Sequence, residues 1–430
     1  NSWTARRIVK ANNISYFCYN TYLYNWVRKT FNNYSFFLIL DKYRKNVLYF
    51  HGMNLSVNDI SYWEQKMLFD SIDFLVVGAG IVGVSCAHHL KEKHPNSKIL
   101  IIDKGSLPFS ATSKNAGFAC FGSPSEILSD LRTTESLKVW ETVKKRWNGL
   151  TALKKWLGNE DIGMQTNGSW DLTIHKKKSS EIRDNLSFLN RELKSITGFE
   201  NVYSENVADI KKFGFDGLDS IFKNKLEGQI DTAKLNLALF KKVAEKDILI
   251  LRGIELLAYE SGTNSVKIES NIGTFDCSNL VICTNGFTSS ILPQLKVHPA
   301  RAQVLITNKI ESLKFEGTFH FDEGYFYFRN IDNRVLIGGG RNHNFQQENT
   351  DKIETTEDIQ SAIEHVLKTI VLPDTPYTIE QRWAGIMGIG NEKSPIIERL
   401  DSRVCAGVRM GGMGIAIGTL VGQELAELHS

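Results

Sequence analysis

The chain has 430 residues, of which 42% are hydrophobic and 23% charged. This length allows two or three structural units with a sizeable core, and the composition excludes disordered, collagenous and disulfide-stapled classes. Fifty-one basic against 48 acidic residues leave a formal charge of +3, too small a field to imply nucleic acid as a partner.

Residues 1–52 stand apart from the rest. They hold eight Lys or Arg against one acid, Asp41, so this segment carries +7 and the remainder −4. Eight Asn and seven of the 13 Tyr also fall there, and the first Met is Met53. We read the segment as lying outside the functional fold, upstream of a start at Met53. The alternative is a targeting leader, because acid-poor, Arg-containing N-termini can be import signals. Its Asn and Tyr content argues against that alternative. No run approaches the roughly 18 apolar residues that span a bilayer; the nearest is residues 36–40. Cys18, Cys86, Cys120, Cys277, Cys283 and Cys405 form neither a CxxC pair nor a zinc-ligand spacing. Neither a disulfide framework nor a metal is therefore expected, and a reducing cytoplasm fits.

The apolar, β-branched run Phe74-Leu75-Val76-Val77 suits a strand buried on both faces of a parallel sheet. Gly78-Ala79-Gly80-Ile81-Val82-Gly83 follows directly and opens a helical pattern that breaks near Pro95. In such a strand–turn–helix unit Gly78 permits the tight turn, Gly80 lets backbone approach a pyrophosphate, and Gly83 allows close helix packing. The phosphates then meet free N–H groups at the positive end of the helix dipole. A second strand, residues 99–102, ends in Asp103, 20 residues beyond Gly83. A carboxylate there accepts hydrogen bonds from ribose hydroxyls, which favours NAD or FAD over NADP.

A nicotinamide-type dehydrogenase would continue with regular βαβ units. Here the loop Ser110-Ala111-Thr112-Ser113-Lys114-Asn115-Ala116-Gly117-Phe118 intervenes, with Gly122 beyond it. Residues 126–158 then space Leu137, Trp140, Val143, Trp147, Leu150 and Leu157 as amphipathic helices do, with the Trp residues read as core. Residues 169–174, 317–330 and 334–340 alternate like strands, the last two flanking the turn Ile331-Asp332-Asn333. In Tyr325-Phe326-Tyr327-Phe328-Arg329 the alternation puts Tyr325, Tyr327 and Arg329 on one face. An aromatic cage with a fixed cation suits a two-pronged grip on a carboxylate. A solvent-facing Arg is the bland alternative, and Arg301 and Arg382 are rival anchors. The adjacent His88 and His89 point different ways on a helix and are read as packing or surface residues.

The Ser110–Phe118 segment resembles the second flavin-contacting stretch of the D-amino-acid oxidase-like FAD-dependent oxidoreductases, which include sarcosine, glycine and γ-glutamylputrescine oxidases. Further segments share the resemblance. They are Glu227 to Thr232 with the helix and strand that follow, Leu280 to Gly286, Arg382 to Pro395, Val404 to Gly407, and Gly411-Gly412-Met413-Gly414. It spans about residues 72–428 and implies an α/β fold. In that fold an FAD-binding Rossmann-type, glutathione-reductase-like domain (72–150, 225–298 and 385–430) carries an inserted, mainly antiparallel α+β substrate domain (151–224 and 299–384).

The resemblance implies FAD as cofactor. Its contacts would be Gly78, Gly80, Gly83, Asp103 and Lys104, then Thr112, Ser113, Asn115, Ala116 and Gly117. Leu256, Thr284, Asn285 and Gly286 follow, and Gly411, Gly412, Met413, Gly414 and Ile415 close the site at a helix start. Two departures stand out: Asp103 replaces the usual Glu, and Met413 replaces a frequent His, leaving nearby Arg409 as the candidate positive charge. Tyr325, Tyr327, Arg329 and Arg382 are the expected substrate anchors. The implied reaction transfers a hydride from the carbon beside an amine to flavin N5, giving an imine that water hydrolyses. Oxygen or another acceptor would complete the cycle. Oxidation of a 2-hydroxy acid or glycerol-phosphate-like alcohol is a second reading, and a non-catalytic flavin-binding module a third.

Overall fold

A computed structural model describes residues 47–49 and 59–429. The expectation for residues 1–52 lies outside the described residues, apart from a short strand at Val47–Tyr49.

Ile72–Val77 is the expected buried strand, with Leu75 and Val76 fully inaccessible. It pairs in parallel with Ile99–Asp103 on one side and with the end of the long strand Gly273–Ile282 on the other. Leu249–Arg252 continues the sheet beyond Ile99–Asp103, with Val47–Tyr49 at that edge. On the other side Gly273–Ile282 forks. Its last residues pair in parallel with Val404–Val408, and its first half pairs antiparallel with Val266–Ser270. Taken in chain order, the parallel core reads 3-2-1-4-5, so the order reverses between the first strand and Gly273–Ile282.

The helices Ile81–Lys93, Ser136–Leu157, Thr232–Ala244 and Gly414–Glu427 share an apolar cluster with one face of this sheet. Two helices, Pro124–Thr133 and Ser136–Leu157, occupy the amphipathic stretch, with Trp140 and Trp147 packed on that core as expected. His88 is buried, 3.4 Å from Glu92 and against the Trp156 ring, which makes it a packing residue.

A second sheet of eight strands runs Ile379–Ile389, His298–Thr307, Arg334–Gly339, Phe326–Ile331, Thr318–Phe321, Ser169–Thr173, Ser220–Asn224 and Tyr203–Glu205. Every adjacent pair is antiparallel except Thr318–Phe321 with Ser169–Thr173. The stretch read as one strand over 317–330 is two, separated by a turn in which Asp322, Glu323 and Gly324 all have positive φ. The turn after Ile331 puts Asp332 and Asn333 at φ +49° and +59°, the conformation of a tight two-residue hairpin. Phe215, Phe315, Phe319 and Phe328 fill the core behind this sheet, against the helix Glu357–Val366.

The five described cysteines are all buried and unpaired. Among the described residues no helix is long and apolar enough to cross a membrane.

Candidate active site

Ligands of open parallel sheets bind beyond the carboxyl ends of the strands where the strand order reverses. A cavity of about 1220 Å3 opens at that point and extends to the face of the second sheet. This exceeds the size of an ordinary small-ligand pocket, about 300–1,000 Å3.

The first strand delivers Gly78 and Gly80 to the cavity wall. Gly78 has φ +111°, and a Cβ there would stand 2.6 Å from the Cys283 carbonyl oxygen. Gly83 lies behind the wall, where a side chain would collide with the Gly78 carbonyl, so its role is the close packing of helix on turn. Asp103 faces the cavity while bracing the turn. Its Oδ2 accepts the Ala79 N–H at 2.8 Å, its Oδ1 accepts the Gly105 N–H at 2.9 Å, and Arg252 stands 3.7 Å away. Lys104 lies 3.8 Å above the Phe287 ring and 3.7 Å from Glu255, beside Leu256 on the same wall.

Thr112 Oγ1 accepts the Ile81 N–H at 3.0 Å, joining the hydroxyl-rich loop to the start of the glycine helix. Asn115 shapes the next turn by accepting the Gly117 N–H at 2.7 Å and the Thr232 hydroxyl at 3.1 Å. Thr112, Asn115, Ala116 and Gly117 line the cavity, whereas Ser113 does not. The Ser113 hydroxyl turns back to the carbonyls of Pro108 and Ser110, a local bond typical of serine in a turn. Opposite, Thr284, Asn285 and Gly286 line the wall, and Asn285 Oδ1 accepts the Met410 N–H at 3.1 Å.

Gly411, Gly412, Met413, Gly414 and Ile415 close the far end, where the helix Gly414–Glu427 begins. A Cβ on Gly412 would meet only Met387 Sδ, and one on Gly414 only Met410 Cβ, each at 3.7 Å. The space before these glycines is therefore room for a ligand, which meets the first amides of a 14-residue helix. Arg409 corrects the expectation for this end. Its Nε donates to the Ser394 carbonyl at 2.8 Å and it is absent from the cavity wall, so it ties down the neighbouring loop.

Tyr327 of the second sheet and Tyr325 in the turn just before that strand reach the cavity, and burial pushes the Tyr327 hydroxyl up to about 12. The three anticipated arginines do not reach it. Arg329 shares the face but is buried, donating from Nη1 to the carbonyls of Ile230, Gly117 and Ala116 at 2.6, 3.1 and 3.2 Å. Arg382 bonds Gln360 at 2.7 Å and Glu364 at 2.8 Å, and Arg301 is buried on Glu348 at 2.7 Å. Alternation fixes the side of a strand but not whether the far end of an arginine finds open space or a backbone carbonyl.

The cation that does reach the cavity from this sheet is Arg341, just past the strand Arg334–Gly339. Its Nη2 donates to Asn349 Oδ1 at 2.6 Å, its plane lies 4.8 Å from the Phe345 ring, and its buried Nε has no partner among the described residues. Burial lowers its pKa. The run Gly338-Gly339-Gly340 before it was the available signal, since glycines let a strand end turn inward. Lys393 also lines the cavity but is held by Asp130 at 2.8 Å and Glu126 at 3.0 Å. Glu126 is half-buried; desolvation alone would raise its pKa, yet Arg146 and Lys393 hold it at about 2.

Fold and cavity together define a dinucleotide-dependent α/β enzyme. The model of the FAD dependent oxidoreductase family matches residues 73–428, and the chain belongs to that family. An uncharacterized oxidoreductase, YurR, of Bacillus subtilis (strain 168) is 20% identical over 280 residues, 63% of this chain and 71% of that protein. Glycine oxidase from Bacillus cereus ATCC 14579 superposes with a TM-score of 0.67 at 18% identity, covering 83% of this chain and 94% of its own. L-proline dehydrogenase from P. horikoshii gives 0.67 at 18% identity, covering 84% and 94%. The chain is thus an FAD-dependent oxidoreductase of mixed α/β fold. The glycine turn, the Asp103 carboxylate and the open space before Gly412 and Gly414 fit the two ends of that cofactor.

Proposed function

We propose that this enzyme oxidises the carbon–nitrogen bond of an amino acid or amine. The observation that carries this reading is Arg341 on the cavity wall, in company with Tyr325 and Tyr327. A guanidinium on the wall of a partly desolvated site favours a carboxylate over water. Two similar structures, a glycine oxidase and an L-proline dehydrogenase, support the same substrate class.

FAD, when bound, supplies the hydride acceptor that no side chain can provide. Arg341 holds the substrate's far end, and the tyrosine rings with Met387 and Met413 give walls that exclude water and fix the pose. The substrate's C–H bond breaks with its electron pair, the nitrogen loses a proton to solvent, and the resulting imine takes up water to release the amine and leave a carbonyl. No dedicated base is required when the amine binds neutral. The amides at the start of Gly414–Glu427 favour negative charge at that end of the cavity. The proposed cofactor contacts are the anticipated set without Ser113 and Arg409, with Gly83 acting from behind the wall.

Anaerobic addition of amino acids, amines and 2-hydroxy acids to the purified yellow protein tests this. Bleaching by an amino acid or amine is the expected result. Bleaching by hydroxy acids alone would overturn the substrate class, and a flavin that answers to none would identify a non-catalytic module.

A further inference from the structure

Cys120, Glu227 and His320 come from three segments more than 90 residues apart, so no spacing in the sequence links them. The fold brings them together. Phe118 and Ala119 pair antiparallel with Gln229 and Gly228, which sets Cys120 beside Glu227 at the end of that ribbon. His320 projects from Thr318–Phe321, with its ring edge-on to Phe118. The sulfur, one carboxylate oxygen and one ring nitrogen all lie within 4.8 Å of one another.

We propose that these three side chains bind a divalent transition-metal cation of borderline softness, Zn2+ being the representative, at the wall of the active-site cavity. Thiolate, imidazole and carboxylate are zinc's own donor types, and side-chain rotation closes their separations to the roughly 3.5 Å that a tetrahedral ion requires. Mg2+ and Ca2+ are disfavoured because they take oxygen donors.

Two observations favour a cation at this point. His320 Nε2 is shielded from solvent and has no hydrogen-bond partner among the described residues. Glu227 is fully buried, and among the described residues no Lys or Arg forms an ion pair with it. Its carboxylate is oriented by the N–H groups of Phe121 and Gly122, at 2.6 and 2.9 Å, and by the Ser169 hydroxyl. Such outer partners fix a metal ligand's geometry. A buried carboxylate without a counter-charge is costly, and a divalent ion supplies the charge that the side chains do not.

Cys120 and His320 line the cavity whereas Glu227 lies behind them, so the fourth coordination position faces the cavity and takes water or an anionic oxygen. On binding, the sulfur–metal bond forms as the thiol proton leaves to solvent, with no change in oxidation state. The site is independent of the reaction proposed above.

The test uses the full-length, FAD-loaded protein stripped of metal with a chelator and then titrated with Zn2+ alone. About one Zn2+ per chain is expected, with affinity lowered at least 100-fold in Cys120→Ser and in His320→Gln, while Cys86→Ala binds as the parent does. Flavin absorbance and thermal unfolding check that each variant is folded. In the unmodified protein, Zn2+ is expected to slow alkylation of Cys120 at least tenfold, read by peptide mass spectrometry, which keeps the proposal testable should the variants misfold. Uptake below a tenth of an equivalent, equal affinity in the variants, or alkylation unaffected by Zn2+ would each overturn it.

Discussion

Arg329 Nη1 stands 2.6 Å from the carbonyl oxygen of Ile230, and the same nitrogen binds the carbonyls of Gly117 and Ala116. One buried guanidinium thus staples the loop ending in Ala116 and Gly117 to the segment leading into the helix Thr232–Ala244. Replacing it with Met takes this donor from the Ala116 and Ile230 carbonyls, while Gly117 keeps the Ile230 N–H, a loss of about 3 kcal/mol. Arg329→Met is therefore expected to lower the urea midpoint and the fraction of chain that retains FAD, while KM for the FAD-loaded fraction changes less than twofold. A tenfold rise in KM with stability unchanged would mean that the guanidinium reaches substrate instead.

Arg341 gives the opposite pattern. Its surroundings, Asn349 and the Phe345 ring, hold the side chain without neutralising it. Arg341→Met is expected to raise KM for a carboxylate-bearing substrate about 100-fold, the loss of roughly 3 kcal/mol in a charge-assisted hydrogen bond. The visible flavin spectrum should not change. Steady-state kinetics on a substrate pair with and without the carboxylate make the check: a variant that loses both substrates equally would remove Arg341 from the anchor position.

Gly414 opens a helix and faces open space, so the fold itself has room for a larger residue there. Gly414→Val is expected to keep the thermal unfolding temperature of the cofactor-free protein within a few degrees. Bound FAD should fall at least tenfold, because the new methyls occupy volume that the cofactor needs. Full FAD retention by absorbance would put the cofactor's end elsewhere.

The nucleotide half of this enzyme was readable because its chemistry sits on consecutive residues. A β-branched strand running into Gly78-Ala79-Gly80, with Asp103 ending the next strand, specifies a turn, a helix start and a carboxylate by local geometry alone. The substrate half was not readable in that way. Arg329, Arg382 and Arg341 are chemically alike in sequence, and their roles diverge because one meets backbone carbonyls, one meets Gln360 and Glu364, and one meets a cavity. The cluster of Cys120, Glu227 and His320 was invisible for the same reason, since only tertiary pairing brings three distant segments to one point.

The last turn of the chain carries a pH-dependent contribution to stability. His429 is buried against Phe74 in the first strand, ring centroids 5.5 Å apart, and its Nε2 has no partner among the described residues. Burial, reinforced by Arg399, His94 and Lys93, lowers its pKa to about 4 from the ordinary 6.5. Between those two values the unfolded chain binds a proton that the folded chain refuses. The stabilisation is therefore complete above about pH 6.5 and declines as pH falls toward 4, by up to about 3 kcal/mol. His429→Phe keeps the ring contact and removes the proton site. Urea unfolding of parent and variant at pH 7.5 and pH 5 should show the parent losing more stability than the variant over that interval. Equal losses would show that His429 stays accessible to protons in the folded enzyme.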